Sequence, residues 1–173
     1  MWAKWINKLE NTRKKKEAID MKAEYINSFY VATQDVFKLM FDLDVRKKEL
    51  KVVEDMIPSR DLSVLLGVTG DLKGSILFSF PNNMTLNMVE IMAGMKIDKI
   101  DTFVSSALGE VANIIGGNAL TNLSDKNYQC DITPPQVFIG QHSTISPSEE
   151  KALLINLGTT IGDFDINIFL SKN

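Results

Sequence analysis

The same order of signals occurs twice along this 173-residue chain, and this internal repeat constrains the fold more than any other feature. Each half has a long helical pattern followed by a hairpin whose turn ends in Gly-Asp, at Gly70-Asp71 and at Gly162-Asp163. A further glycine precedes each turn, Gly67 in the first half and Gly158 in the second. We therefore expect an α/β (α+β) fold of duplicated helix-plus-hairpin halves, with long helices on one face of a largely antiparallel sheet.

Periodicity and turn residues predict the individual elements. The Met-rich segment from Asn82 to Gly94 is predicted as a short helix, with Met84, Met88 and Met92 in the core. Asp101 is the predicted N-cap of the second long helix. The remaining predictions are a helix over 21–41, a charged link over 42–61, strands over 62–70 and 73–81, a helix over about 101–123, and three strands within 131–170.

Composition and two scarce residue types exclude several classes of protein. Hydrophobic residues make up 45% and charged residues 24%, which is enough apolar material for a core without disulfides or metal. Cys130 is the one cysteine and His142 the one histidine, so the chain has no internal disulfide and no site of several His or Cys ligands for a metal. A triad mechanism would have to use His142. We expect chemistry without a metal, nucleophile or imidazole base of the chain's own.

Charge and hydropathy limit location and partners. No apolar run follows the basic N-terminus as in a secretory signal, and none is long enough to span a bilayer, so we expect a cytoplasmic protein. The formal net charge is −3, divided into +3 over residues 1–20 and −6 over residues 21–173. A nucleic-acid-binding body is normally basic. The acidic body therefore argues against nucleic acid as the main partner.

Residues 1–20 form a basic amphipathic extension, distinct from a domain over 21–173. Its apolar side chains Trp2, Trp5, Ile6 and Leu9 recur at helical spacing among lysines and one arginine. One interpretation is a helix that contacts a membrane surface or a partner. The other, which we favour on sequence, is an extension that packs on the domain or precedes the true start at Met21.

The segment 105–117 carries the most informative pattern. On a helix, Val104, Leu108, Val111, Ile115 and Ala119 form an apolar stripe. Ser106, Glu110, Asn113 and Gly117 then fall within roughly 60° on the opposite side. Ile114 and Leu120 flank this row as apolar edges of a docking surface.

Two further features bear on this pattern. One is a pair of adjacent glycines in the same helix, and the other is a second Glu-x-x-Asn pair elsewhere in the chain. Gly116-Gly117 in mid-helix costs about 1 kcal/mol per glycine relative to alanine. The glycines either allow close packing on a neighbouring element or allow a partner's backbone to approach the pair. A second copy, Glu24 and Asn27, has Val31 where the first has a glycine, and we assign it no catalytic role.

The segment "SALGEVANIIGG" resembles the signature of the CheC/CheX/FliY phosphatases: an acidic or hydroxyl residue, Glu four later, Asn three after that, and Gly four later. "GVTGDLKGSILFSFP" at 67–81 and "DITPPQVFIG" at 131–140 are similar to CheX in particular. The likeness covers nearly all of 21–170. CheC-type members usually carry the motif in both halves, whereas CheX carries it in the second, as here.

The resemblance implies a CheC-like fold and a phosphatase that acts on the phospho-aspartate of a CheY-like response regulator. It implies that Asn113 orients the attacking water and that Glu110 pairs with a receiver lysine, with Ser106, Ile114 and Gly117 at the contact. Mg²⁺ is expected on the partner receiver, with no cofactor of the chain's own, and a homodimer formed through the sheets is expected.

Three alternatives stay open from sequence. One is a non-catalytic receiver-binding or flagellar-switch module on the same fold. Another is a structural homodimer whose N-terminal helix docks on a membrane or partner. The third is an unrelated metabolic enzyme, although no nucleotide-binding loop is present. "GVTGDLKGS" lacks the P-loop spacing and lies between two predicted strands.

Overall fold

The computed structural model describes residues 2–53, 60–140 and 152–173, which form three helices and seven strands. In chain order the elements are α1 Trp2–Phe41, β1 Arg46–Val53, β2 Leu62–Gly70, β3 Leu72–Phe80, α2 Asn82–Ala93, α3 Thr102–Ser124, β4 Cys130–Ile132, β5 Gln136–Ile139, β6 Ala152–Thr159 and β7 Gly162–Lys172.

The sheet joins two similar halves, which confirms the predicted duplication. All pairings are antiparallel, in the order β1-β6-β7-β3-β2-β4, and β5 also pairs with β2. Each half contributes a long helix, an outer strand and a hairpin. The outer strand of each half pairs with the other half's hairpin, β1 with β6 and β4–β5 with β2. The halves therefore share one sheet.

The repeated glycines Gly67 and Gly158 lie opposite irregularities in these outer strands. The Gly67 N–H donates to Thr133 Oγ1 at 2.8 Å, in the gap between β4 and β5, and a Cβ there would meet Thr133 at 2.9 Å. A Cβ on Gly158 would meet the Lys48 side chain at 2.7 Å, where the register of β1 shifts. Each glycine thus makes room for an outer strand of the other half.

The core lies between the helices and one face of the sheet, as predicted. Phe164 of β7 stacks on Phe37 of α1 with ring centroids 4.9 Å apart, and on Phe80 of β3 at 5.2 Å. All three rings are fully buried. They connect a helix of the first half to the central strands of both halves.

Several predictions about the elements and their burial were wrong. The charged link contains strand β1, an exposed edge strand whose pairing with β6 is not signalled by apolar alternation. The segment 131–170 contains four strands, because Pro134 and Pro135 interrupt the pairing with β2 between β4 and β5. Met84 and Met88 are buried as predicted, but Met92 is exposed near the end of α2.

The first helix is longer than predicted, because α1 begins at Trp2 and not near Met21. Residues 2–17 are all exposed. The interpretation of this segment as packed on the domain is therefore wrong for these residues. Within the described ranges, no helix is both long enough and apolar enough to cross a membrane.

A pair of tyrosines joins the end of α3 to α1 and predicts an alkaline transition. Tyr25 and Tyr128 meet edge to face at 5.7 Å. Burial raises the pKa of Tyr25 from 10.0 to about 12, and the neighbouring Tyr128 adds to this shift. Burial, and then the Glu24 carboxylate, also raise the pKa of Tyr128.

Tyr25→Phe is expected to reduce the loss of folding stability at alkaline pH. The folded protein keeps the Tyr25 hydroxyl protonated to a higher pH than the unfolded chain does, so stability falls as pH rises from about 10 to about 12. The variant removes this ionisation and keeps the ring contact. Free energies of unfolding measured from neutral to alkaline pH should show a shallower decline and no loss near neutrality. An unchanged decline would contradict the assignment.

Candidate functional site on helix α3

Local sequence fixes where α3 begins and which side faces the core. Asp101 has extended backbone and its Oδ1 accepts from the Val104 N–H at 3.0 Å, so the predicted N-cap is confirmed. The predicted apolar stripe is also confirmed, and its five members are fully buried: Val104, Leu108, Val111, Ile115 and Ala119. The row that contains Glu110 and Asn113 is thereby directed away from the core.

Glycines and one side-chain hydrogen bond hold α3 close to its neighbours. A Cβ on Gly116 would meet Leu66 Cδ1 of β2 at 2.6 Å, and a Cβ on Gly109 would meet Val137 Cγ2 of β5 at 3.2 Å. Asn122 Nδ2 donates to the Ser28 carbonyl of α1 at 3.2 Å. The helix is therefore seated on both the sheet and α1, which makes it a rigid platform for outward side chains.

The structure brings the predicted row together on one face. Ser106, Glu110 and Gly117 are exposed, and Asn113 is half-buried. The helical rise places Glu110 and Asn113 about 4.5 Å apart along the axis, and the whole row spans about 16 Å. This length suits contact with the surface of another protein better than with a small molecule.

The two polar side chains of the row are available for a partner. Among the residues that the structure describes, none gives the Glu110 carboxylate or the Asn113 carboxamide a hydrogen bond or ion pair. A carboxylate accepts hydrogen bonds and attracts a cation, whereas a carboxamide both donates and accepts. The pair can thus bind a positive group and orient a water molecule one helical turn away.

The two adjacent glycines separate into two different roles. Gly116 is buried and touches Leu66, which is the close-packing explanation. Gly117 is exposed, and no described atom lies within 4 Å of a Cβ placed there. Packing within the chain therefore accounts for Gly116 alone.

The apolar edges of the row differ from the expectation. Ile114 is half-buried and packs against the core, so only part of its side chain borders the row. Leu120 is buried, which makes its predicted place on a docking surface wrong. Sequence reasoning missed Phe103, which is 57% exposed and lies two turns before Glu110 on the same side. Its seven-residue spacing from Glu110 was the available signal.

The second Glu-x-x-Asn copy lies on α1 in different surroundings. Glu24 is half-buried beside Tyr128, and Asn27 is exposed. The half-buried side chain of Val31 occupies the position that corresponds to Gly117. That the copy has no catalytic role stays a prediction.

The scarce residues lie away from this row or outside the described ranges. Cys130 is half-buried in β4, and His142 falls outside the described residues. Over 2–53, 60–140 and 152–173, no three His, Cys, Asp or Glu side chains are grouped so that they could hold a metal ion. The outward row of α3 is therefore the candidate functional site within the described ranges.

Known proteins resemble this chain over most of its length. A sequence model of the family described as chemotaxis phosphatase CheX matches residues 62–157. The CheY-P phosphatase CheX of Thermotoga maritima is 24% identical over 152 residues, covering 86% of this chain and 96% of that protein.

Solved structures agree with this match. A CheC-like superfamily protein from Shewanella sp. PV-4 has a TM-score of 0.79 and 29% identity, over 86% of this chain and 97% of that one. CheX in the CheX-CheY-BeF3-Mg²⁺ complex from Borrelia burgdorferi has a TM-score of 0.70 and 28% identity, over 86% of this chain and 98% of that one. The chain belongs to the CheX family of chemotaxis phosphatases.

Proposed function

We propose that this chain hydrolyses the phospho-aspartate of a CheY-like response regulator in chemotaxis signalling. The observation that carries the proposal is the Glu110–Asn113 pair on the solvent face of a rigid helix, free of partners within the described part of the chain. The relative named CheY-P phosphatase and the relative in complex with CheY support the same partner.

Asn113 acts on the attacking water. Phosphoryl transfer has a loose transition state, so catalysis depends on positioning and on charge stabilisation. The water oxygen forms a bond to phosphorus as the bond to the aspartyl oxygen breaks, which yields inorganic phosphate and a free carboxylate. The Asn113 carboxamide holds the water in line through its donor and acceptor groups and takes no proton.

Glu110 fixes the position of the receiver. Its carboxylate forms an ion pair with a lysine beside the acyl phosphate of the receiver, one helical turn from Asn113. Mg²⁺ belongs to the receiver in this proposal, and the Borrelia complex with CheY contains Mg²⁺. This chain then needs no cofactor of its own.

The rest of the outward row forms the contact surface. Ser106 is exposed at one end and Gly117 at the other, and half-buried Ile114 borders them. We add Phe103, whose exposed ring extends the surface beyond Ser106. Gly117 gives the receiver backbone the clearance to approach Asn113.

The same substitution at the two glycines should have opposite consequences. Gly116→Leu is expected to destabilise the fold by about 1–3 kcal/mol, because the new side chain collides with buried Leu66. Gly117→Leu is expected to leave the free energy of unfolding within about 1 kcal/mol of wild type and to weaken receiver binding at least about tenfold. Denaturant unfolding and receiver titration measure the two effects. If Gly117→Leu bound the receiver as tightly as wild type, Gly117 would not be needed to let the receiver backbone approach.

We propose that residues 21–173 form the phosphatase unit and that residues 1–20 extend it. We also propose that the protein works in the cytoplasm. The third proposal is that it forms a homodimer. Pairing through the sheets would use the β4–β5 edge, since the β1 edge carries four Lys or Arg residues that disfavour strand addition. Sedimentation of the purified chain tests the dimer.

The second candidate function is receiver binding without hydrolysis. It is favoured by the same exposed row, which would dock a receiver whether or not water is positioned. The two are separated by adding the chain to a phosphorylated, Mg²⁺-loaded CheY-like receiver of the same organism and following phosphate release. Faster release supports the phosphatase. Binding without faster release supports the second candidate.

A further inference from the structure

The first turns of α1 present an apolar stripe that no described residue covers. Trp2 is 81% and Trp5 62% exposed, and Ile6 and Leu9 are also exposed. At about 100° per residue the four side chains lie within an arc of about 100° on one side of the helix. The helix is therefore amphipathic over these turns, and all four apolar side chains of the stripe are exposed to solvent.

Basic residues outnumber acidic ones in the helical segment that carries this stripe. The opposite side of the helix is polar and carries Lys4, Lys8 and Lys15, which are all exposed. Lys16 follows the apolar side chains on the same side about two turns later, whereas Arg13 on that side pairs with Glu17 at 2.9 Å. Residues 1–20 carry a net charge of +3, against −6 for the rest of the chain. The occupant of the stripe should therefore be anionic and should accept tryptophan rings.

We propose that residues 2–16 lie on the surface of an anionic phospholipid membrane. Tryptophan rings favour the headgroup level of a bilayer, and lysines on the polar face of an amphipathic helix attract anionic lipids. The stripe extends over about two turns, which suits shallow burial in a lipid interface. A second copy of this chain is a poorer occupant, because a stable helix pair needs an apolar seam over several heptads.

The continuity of α1 connects this anchor to the body of the protein. Tyr25 is the first buried apolar residue of α1 among the described side chains, and it lies sixteen residues after Leu9. The intervening helix is about 24 Å long. Membrane contact would therefore hold the body close to the bilayer surface.

Tryptophan fluorescence reports on this segment of the helix alone, because Trp2 and Trp5 are the two tryptophans of the chain. We expect the emission of the full-length protein to shift to the blue, and the protein to sediment, with vesicles that contain phosphatidylglycerol. Vesicles of pure phosphatidylcholine should produce a much smaller change, and added salt should reverse the binding.

A matched pair of leucine variants provides the control. Leu9→Glu is expected to weaken vesicle binding at least about tenfold. Leu39→Glu makes the same change on the same helix at a residue that is 87% exposed, and should bind as wild type does.

Three results would overturn the proposal. They are the absence of a shift with the anionic vesicles, equal losses in the two leucine variants, and a blue shift that grows with protein concentration without vesicles. The last would assign the stripe to a second copy. Leu9→Glu should not change phosphate release in solution without vesicles. Failure of the membrane proposal can therefore be distinguished from failure of the phosphatase proposal.

Discussion

Asn113→Ala is expected to reduce the acceleration of receiver dephosphorylation by about a hundredfold or more while the receiver still binds. The reason is that the carboxamide orients the attacking water, and the loss of one such positioning group costs about two to three orders of magnitude in rate. Asn113 is half-buried at the surface of α3 and has no side-chain partner among the described residues, so the fold should be unchanged. Phosphate release and receiver titration measure the two quantities.

Two other asparagines provide controls for this variant. Asn118 is exposed on the same helix but on a different side from the row, and Asn27 belongs to the second Glu-x-x-Asn copy. Asn118→Ala and Asn27→Ala should both keep the wild-type rate. A large rate loss in Asn27→Ala would mean that the copy on α1 takes part in catalysis. Retained activity in Asn113→Ala would remove the proposed role of that residue.

Glu110→Gln is expected to weaken receiver binding by about tenfold to a hundredfold. The substitution keeps the size of the side chain and removes the charge, so it deletes the ion pair with the receiver lysine, a charge-assisted hydrogen bond typically worth about 1.5–3 kcal/mol. The rate at saturating receiver should also fall, because the dock that aligns Asn113 is looser. Titration and phosphate release at several receiver concentrations separate these effects.

Salt dependence identifies the charge as the cause. Receiver affinity of the wild type should decline as ionic strength rises, and this decline should be shallower in Glu110→Gln. Glu49→Gln removes an exposed carboxylate from the outer strand β1 and should retain both the affinity and the salt response. Equal salt responses in wild type and Glu110→Gln would argue against the ion pair.

Helix α3 could be predicted from sequence because its signals are local. Asp101 supplies a cap, and residues such as Leu108 and Ile115 recur at the helical period, so the outward position of Glu110 follows from geometry. The duplicated hairpins were likewise predictable, since Gly70-Asp71 and its counterpart are local turn signals.

Other features depend on contacts between distant parts of the chain. Strand β1 is exposed, so its sequence shows no apolar alternation that would predict a strand. Its extended structure depends on its pairing with β6, which is distant in the chain. The difference between Gly116 and Gly117 follows from the position of Leu66, about fifty residues earlier. Helical pattern alone did not decide whether the segment with Trp5 packs on the domain or extends into solvent.

Turnover of phosphorylated receiver by a small amount of this chain tests the phosphatase activity most directly. A large excess of phosphorylated, Mg²⁺-loaded receiver is mixed with wild type or with Asn113→Ala, and phosphate release is followed to completion. Wild type is expected to clear many receivers per molecule, whereas Asn113→Ala should bind them and leave the spontaneous rate nearly unchanged. Release that stays at the spontaneous rate with bound wild type would contradict the proposed phosphatase activity.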